Sequence, residues 1–143
     1  MKKMYYPLLI VTLVIAISGC SKKSDNPVAP LPPTEAQPSF SITAQPVTLA
    51  TGDAGLQFIA RCTTDDVDLV KVIVQNPRGQ SQTFNAGNTE FVKDEEFYCE
   101  DQATGYFKYL GTWSLTFVGN KATGTKSSFN VISTLSVTGK ISE

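Results

Sequence analysis

The sequence predicts an all-β domain, a sandwich of about seven antiparallel strands, and three observations predict it. Apolar and polar residues alternate in short runs, the period of a strand with one buried face. Gly, Asn, Asp and Pro clusters interrupt those runs every 8 to 12 residues. No stretch keeps a helical apolar period over three turns. That combination is the pattern of two packed sheets.

Along the chain, Phe40, Ile42 and Ala44 alternate, Gln45-Pro46 interrupts, and Val47 and Leu49 resume. A proline at this point suits an edge strand. Thr51-Gly52-Asp53 turns the chain, and Leu56, Phe58, Ala60 and Cys62 share one face of a second strand. After the polar turn Thr63–Asp66, the run Val67–Gln75 has Val70, Val72 and Val74 on one face and Leu69 and Ile73 on the other. A strand apolar on both faces is expected at the centre of a sheet.

Asn76-Pro77-Arg78-Gly79 is a strong turn, because each residue type suits a turn position for its own reason. Ser81–Asn85 and Thr89–Lys93 are expected as two short strands around Ala86-Gly87-Asn88. The acid-rich stretch Lys93–Thr104 is expected as a loop or a single helical turn. Trp113, Leu115 and Phe117 then alternate with Thr112, Ser114 and Thr116, which marks Trp113 as core. Gly119–Gly124 turns, and Phe129, Val131, Leu135 and Val137 line one face of a long last strand.

Hydrophobic residues make up 41% and charged residues 17%, enough apolar content for a core and too much for a disordered chain. The chain has no histidine. The usual general base, the commonest transition-metal ligand and the neutral-pH switch are thereby missing together. The formal charge is −1, and no Lys/Arg cluster suited to phosphates is present, so no nucleic-acid partner is expected.

The N-terminus carries the most specific pattern. Met1-Lys2-Lys3 is a short positive start, and Tyr5–Ile17 is an apolar run of 13 residues. A helix of that length spans about 20 Å, short of the roughly 30 Å hydrocarbon core, so it suits an export signal and not a membrane span. The tetrapeptide Ile17-Ser18-Gly19-Cys20 resembles the lipobox of bacterial lipoproteins, with Ile17 where leucine is commoner. The chemistry explains the pattern: small side chains admit the peptidase, and only a thiol takes the diacylglycerol thioether.

The resemblance implies a signal peptide over residues 1–19, cleavage before Cys20, and lipid on Cys20. More than one acyl chain is needed for stable anchoring, and the lipoprotein modification supplies them. In that family a residue other than aspartate after the cysteine, here Ser21, argues for the outer membrane. Removing the signal removes Lys2 and Lys3 and no acid, which leaves a balance of −3. Residues 20–39 then form a tether. Pro27, Pro30, Pro32, Pro33 and Pro38 favour extended polyproline II over packed structure.

The domain is expected over residues 40–143. Two segments of it, Thr64-Asp65-Asp66-Val67-Asp68-Leu69-Val70-Lys71-Val72 and Gly111-Thr112-Trp113-Ser114-Leu115-Thr116-Phe117, resemble bacterial immunoglobulin-like and fibronectin type III-like domains. Those families often place an acidic turn before the third strand and a Gly-x-aromatic approach to the penultimate one. The resemblance implies an immunoglobulin-like β-sandwich and no specific function. A departure is Trp113, which lies beyond both domain cysteines instead of between them.

With Cys20 acylated, Cys62 and Cys99 remain, an even number in an exported chain, and a disulfide between them is expected. It would close a loop of about 38 residues, for roughly 4 kcal/mol by chain entropy. Asp65, Asp66 and Asp68, with Asp94 or Glu96, are oxygen donors of the kind calcium takes, but they lack EF-hand spacing and read as a solvated turn. Glu95 and Glu96 are adjacent, so on an extended chain they face opposite ways, unlike a glycosidase pair. No G-x-S-x-G occurs. No catalytic residue, metal ligand or cofactor site is therefore expected.

Tyr98, Tyr106 and Tyr109 are the expected interface residues, since tyrosine joins a large apolar face to a polar edge. The resulting expectation is a lipid-anchored lipoprotein of the cell envelope, on the outer membrane. Its non-enzymatic accessory domain would contact a protein partner or a cell-surface glycan. The alternative is a structural subunit of an envelope assembly with no small ligand.

Overall fold

The computed structural model describes residues 34–99, 106–107 and 109–138. The segments expected as an export signal and a tether, with Cys20, lie outside the described residues up to residue 33. So do Glu100 and Asp101. The described chain folds as two antiparallel sheets packed face to face. The strands are β1 (Phe40–Thr48), β2 (Ala54–Cys62), β3 (Val67–Gln75), β4 (Ser81–Phe91), β5 (Phe97–Tyr98), β6 (Tyr106–Phe107), β7 (Gly111–Lys121) and β8 (Ser128–Val137).

The first sheet runs β1-β2-β5, with β6 also on β2. Both β5 and β6 pair antiparallel to the same side of the chain's second strand, at Ala60↔Phe97 and Leu56↔Tyr106. Counted as two pieces of one interrupted strand, they bring the strands among the described residues to seven. The second sheet runs β4-β3-β7-β8. The expected all-β sandwich is the fold observed.

Alternation buries Leu56, Phe58, Ala60 and Cys62 from β2 against Trp113, Leu115 and Phe117 from β7. Aromatic rings form the centre. Phe58 and Trp113 lie 4.8 Å apart, and Phe40 stacks on Phe117 at 4.1 Å. Phe97 meets Phe117 edge-on at 6.2 Å and Phe91 at 4.5 Å. The Trp113 indole N–H donates to the Tyr109 carbonyl at 3.0 Å, so its one polar atom is satisfied inside the core.

Several elements differ from expectation, each for a physical reason. β1 continues through Pro46, which an edge strand tolerates because a proline lacks only a donor. β3 carries a register shift between Leu69 and Lys71. The irregularity reverses the facing of the residues after it, so Val67 and Leu69 point inward with Val72 and Val74 while Val70 does not. β4 is one strand through Ala86-Gly87-Asn88, with Gly87 and Asn88 at positive φ. β7 continues past Gly119 to Lys121. A Cβ on Gly119 would stand 2.4 Å from the Asp68 carbonyl oxygen, so close strand approach requires glycine there. The acidic stretch contributes β5, held by only two register pairs.

The expected Cys62–Cys99 disulfide is corrected. Both residues are buried thiols and are not joined. Register gives the reason. The Cys99 amide donates to the Phe58 carbonyl at 2.9 Å, so Cys99 sits opposite Phe58. Cys62 lies four residues farther along β2, about 13 Å away at the strand rise. That is well beyond the roughly 7 Å a bridge allows.

Thiol titration of the folded chain should leave Cys62 and Cys99 unreactive until denaturant is added, when both react; a mass lower by two hydrogens would show a bridge instead. Phe58→Ala should lower unfolding stability by about 3–5 kcal/mol in denaturant titration, as for other buried aromatic truncations.

Candidate functional site

The outer face of the first sheet is built by the side chains that alternate away from the core. Register aligns Thr43, Ile59 and Tyr98 in one row across β1, β2 and β5, and Ser41 beside Arg61 in the next. Gln45 and Gln57 form a third row, joined amide to amide at 2.9 Å. Ser41, Thr43, Ile59, Ala60, Arg61 and Glu96 line a shallow hollow of about 60 Å³. Tyr98 stands beside it, 48% exposed, as the cross-strand neighbour of Ile59. Donors, acceptors and one exposed aromatic ring thus share a single flat surface. Such a surface can hold a ligand by stacking and hydrogen bonds without enclosing it.

The three expected tyrosines have different surroundings. Tyr98 faces solvent. Tyr109 is half-buried, 6.4 Å from the Trp113 ring, with the Arg78 guanidinium 4.3 Å over its face. The turn before β4 places that arginine. Asn76 Oδ1 accepts from the amides of Arg78 and Gln80, both at 3.0 Å. The Tyr106 backbone pairs opposite Leu56.

The acidic turn is engaged within the domain. Asp65 lies 3.0 Å from the Lys121 ammonium, and Asp66 Oδ1 accepts the Lys93 amide at 2.7 Å. Asp68 belongs to β3, on the face away from the core. Among the described residues no group of three acidic or cysteine side chains is arranged to hold a metal ion.

Sequence reasoning missed Lys121. It is 6% exposed and sits between Asp65 and Glu35, the latter at 3.4 Å. Glu35 also accepts hydrogen bonds from the hydroxyls of Thr125 and of Ser127, the second at 2.9 Å. The only available clue was the odd-numbered alternation of β7, which carries Lys121 to the inward face after Phe117 and Gly119. Glu35 clasps the chain ahead of β1 onto the β7–β8 turn. Pro38 is buried, and Ser39 bonds Thr64 and Thr63. The chain is therefore held to the domain several residues before its first strand.

The clasp shifts its own titrations. Hydrogen bonds from Thr125 and Ser127 first, then the Lys121 charge, hold the Glu35 carboxyl below its ordinary range. A hydrogen bond from Thr64 does the same for Asp65, aided by Lys121. The Lys121 ammonium is pushed up, chiefly by its hydrogen bond to Asp65.

No family model matches this chain, and neither a curated protein nor a solved structure matches it.

Depressed carboxyl values stabilise the fold above the unfolded carboxylate range and lose that contribution as pH falls through the folded values. The raised lysine contributes below its unfolded value and loses it as pH climbs through the folded one. Melting curves should therefore hold a plateau through neutral pH and fall below about pH 4. Lys121→Met should lower the neutral-pH midpoint and make the acid limb shallower, because the carboxylates lose their cation. An unchanged limb would show that the clasp is not coupled to folding.

Proposed function

We propose that this chain is a lipid-anchored cell-envelope protein whose sandwich is a non-enzymatic binding module. Its contact surface is the outer face of the first sheet around Tyr98, and its partner is a protein or a cell-surface glycan. The observation that carries the reading is the half-exposed Tyr98 ring beside a shallow hollow lined by Ser41, Thr43, Arg61 and Glu96. A tyrosine anchor rimmed by polar groups is the composition that concentrates energy at interfaces.

The strand order, β1-β2-β5 facing β4-β3-β7-β8, supports the immunoglobulin-like reading of the domain. The lipobox-like Ile17-Ser18-Gly19-Cys20 supports lipid on Cys20 and attachment to the outer membrane. The run of prolines after it supports a spacer that lifts the domain off the bilayer.

Two measurements test this. Tyr98→Ala should weaken retention of the native membrane partner, or of the best glycan on an array, by about tenfold or more. Its unfolding stability should stay within about 0.5 kcal/mol, as for an exposed position. Binding that ignores the change would reject the surface. Intact-mass analysis of protein from its own host should give a chain starting at Cys20 with added acyl mass. A different start, or no acyl mass, would reject the anchor.

A further inference from the structure

We infer that Thr34–Ser39 is a releasable strap: it opens as a unit from a sandwich that stays folded, and the Glu35 carboxylate is its latch. The strap is fixed at two points. At one, Glu35 accepts from the hydroxyls of Thr125 and of Ser127, the second at 2.9 Å, and lies 3.4 Å from the Lys121 ammonium. At the other, the Ser39 amide donates to Thr64 Oγ1 at 3.0 Å. The Ser39 carbonyl accepts there from the Thr63 amide at 2.8 Å and from the Thr63 hydroxyl at 3.2 Å. Between the two points Ala36 and Gln37 are exposed, and Pro38 is the one buried residue of the strap. A segment held by polar contacts and one buried side chain belongs to the low-stability end of a fold.

The two points belong to one network. Thr64 accepts from the Ser39 amide and donates to Asp65 at 2.6 Å. Asp65 in turn lies 3.0 Å from the same Lys121 ammonium that Glu35 contacts. Polar groups chained in this way support one another, so the strap closes and opens as a whole.

Three features confine the opening to the strap. Lys121 keeps Asp65 when Glu35 leaves, so no unpaired ammonium remains at the inward end of β7. The strap carries no aromatic ring, so the ring contacts between the sheets do not depend on it. The next residue, Phe40, is firmly seated: it pairs opposite Cys62, stacks on Phe117 at 4.1 Å and lies 5.7 Å from Phe129. Release therefore stops where β1 begins.

The device sets reach. A pull arriving along the chain from its N-terminal side meets the strap before it meets β1. Opening frees the chain from Thr34 to Ser39, about 20 Å at full extension, and lets the sandwich turn about Phe40. Closed, the strap holds the chain against the β2–β3 and β7–β8 turns.

Site-resolved hydrogen exchange on the full chain in detergent tests this. The Ser39 and Thr63 amides report the strap, and the interior amides of β7 report the core. The strap amides should open at least about 100-fold more often than the core, with little dependence on added denaturant, because local opening exposes little surface. Glu35→Gln keeps the shape of the side chain and removes its charge. It should raise strap opening by about tenfold while the near-ultraviolet circular dichroism of Trp113 stays unchanged. Thr125→Val, at an exposed position, should act in the same direction by about threefold. Strap amides that open only with the core, at the same denaturant dependence, would overturn the inference. So would strap opening that ignores both substitutions.

Discussion

Two sheets, each apolar on a single face, cannot hold shape in water until those faces meet. The contact that closes them is aromatic. Phe58 of the first sheet meets Trp113 of the second, and Phe40 and Phe97 meet Phe117. Buried area drives this closure, and the tilted and edge-on geometries add a smaller, directional term. Because the Trp113 N–H ends on a backbone carbonyl, the largest core residue carries no polar cost.

Closure also decides what remains outside. Once Phe97 and Cys99 turn inward from the interrupted strand, Tyr98 between them must face solvent. Once Leu56, Phe58 and Ala60 turn inward, Gln57, Ile59 and Arg61 must form the opposite surface. The candidate surface is thus the complement of the core, set by the period of two and not by any separate motif. The same logic carries Lys121 inward at the end of β7, where Asp65 and Glu35 compensate its charge. The two carboxylates keep that inward ammonium from standing unpaired. Through Glu35 it ties the residues just ahead of β1 to the β7–β8 turn.

The legibility of these features varied with how local they are. β2, β7 and β8 were readable because strict alternation continues over several apolar positions, as in Trp113, Leu115 and Phe117. The inward face of β3 was not readable. The irregularity after Leu69 depends on two neighbouring strands, and nothing in Val67–Gln75 announces it. β5 was hidden because two paired residues are too few for a period, and the acids around them read as solvated. The cysteine count suggested a bridge, but pairing is a matter of register, and register places Cys99 opposite Phe58 instead of Cys62. Of the expected interface tyrosines, Tyr98 is exposed by its alternation. Tyr109 is drawn against Trp113 and Arg78 by contacts that its immediate neighbours in sequence do not announce.

Site-resolved hydrogen exchange measures the central claim most directly, because it reports which backbone bonds open only when the whole core opens. If the Phe58–Trp113–Phe117 contact closes the two sheets, the interior amides of β2, β3 and β7 should exchange slowest of all. They should share a single opening free energy, equal to that of global unfolding. Exchange of β7 amides as fast as those of the Asn76–Gln80 turn, or separate opening energies for the two sheets, would contradict it.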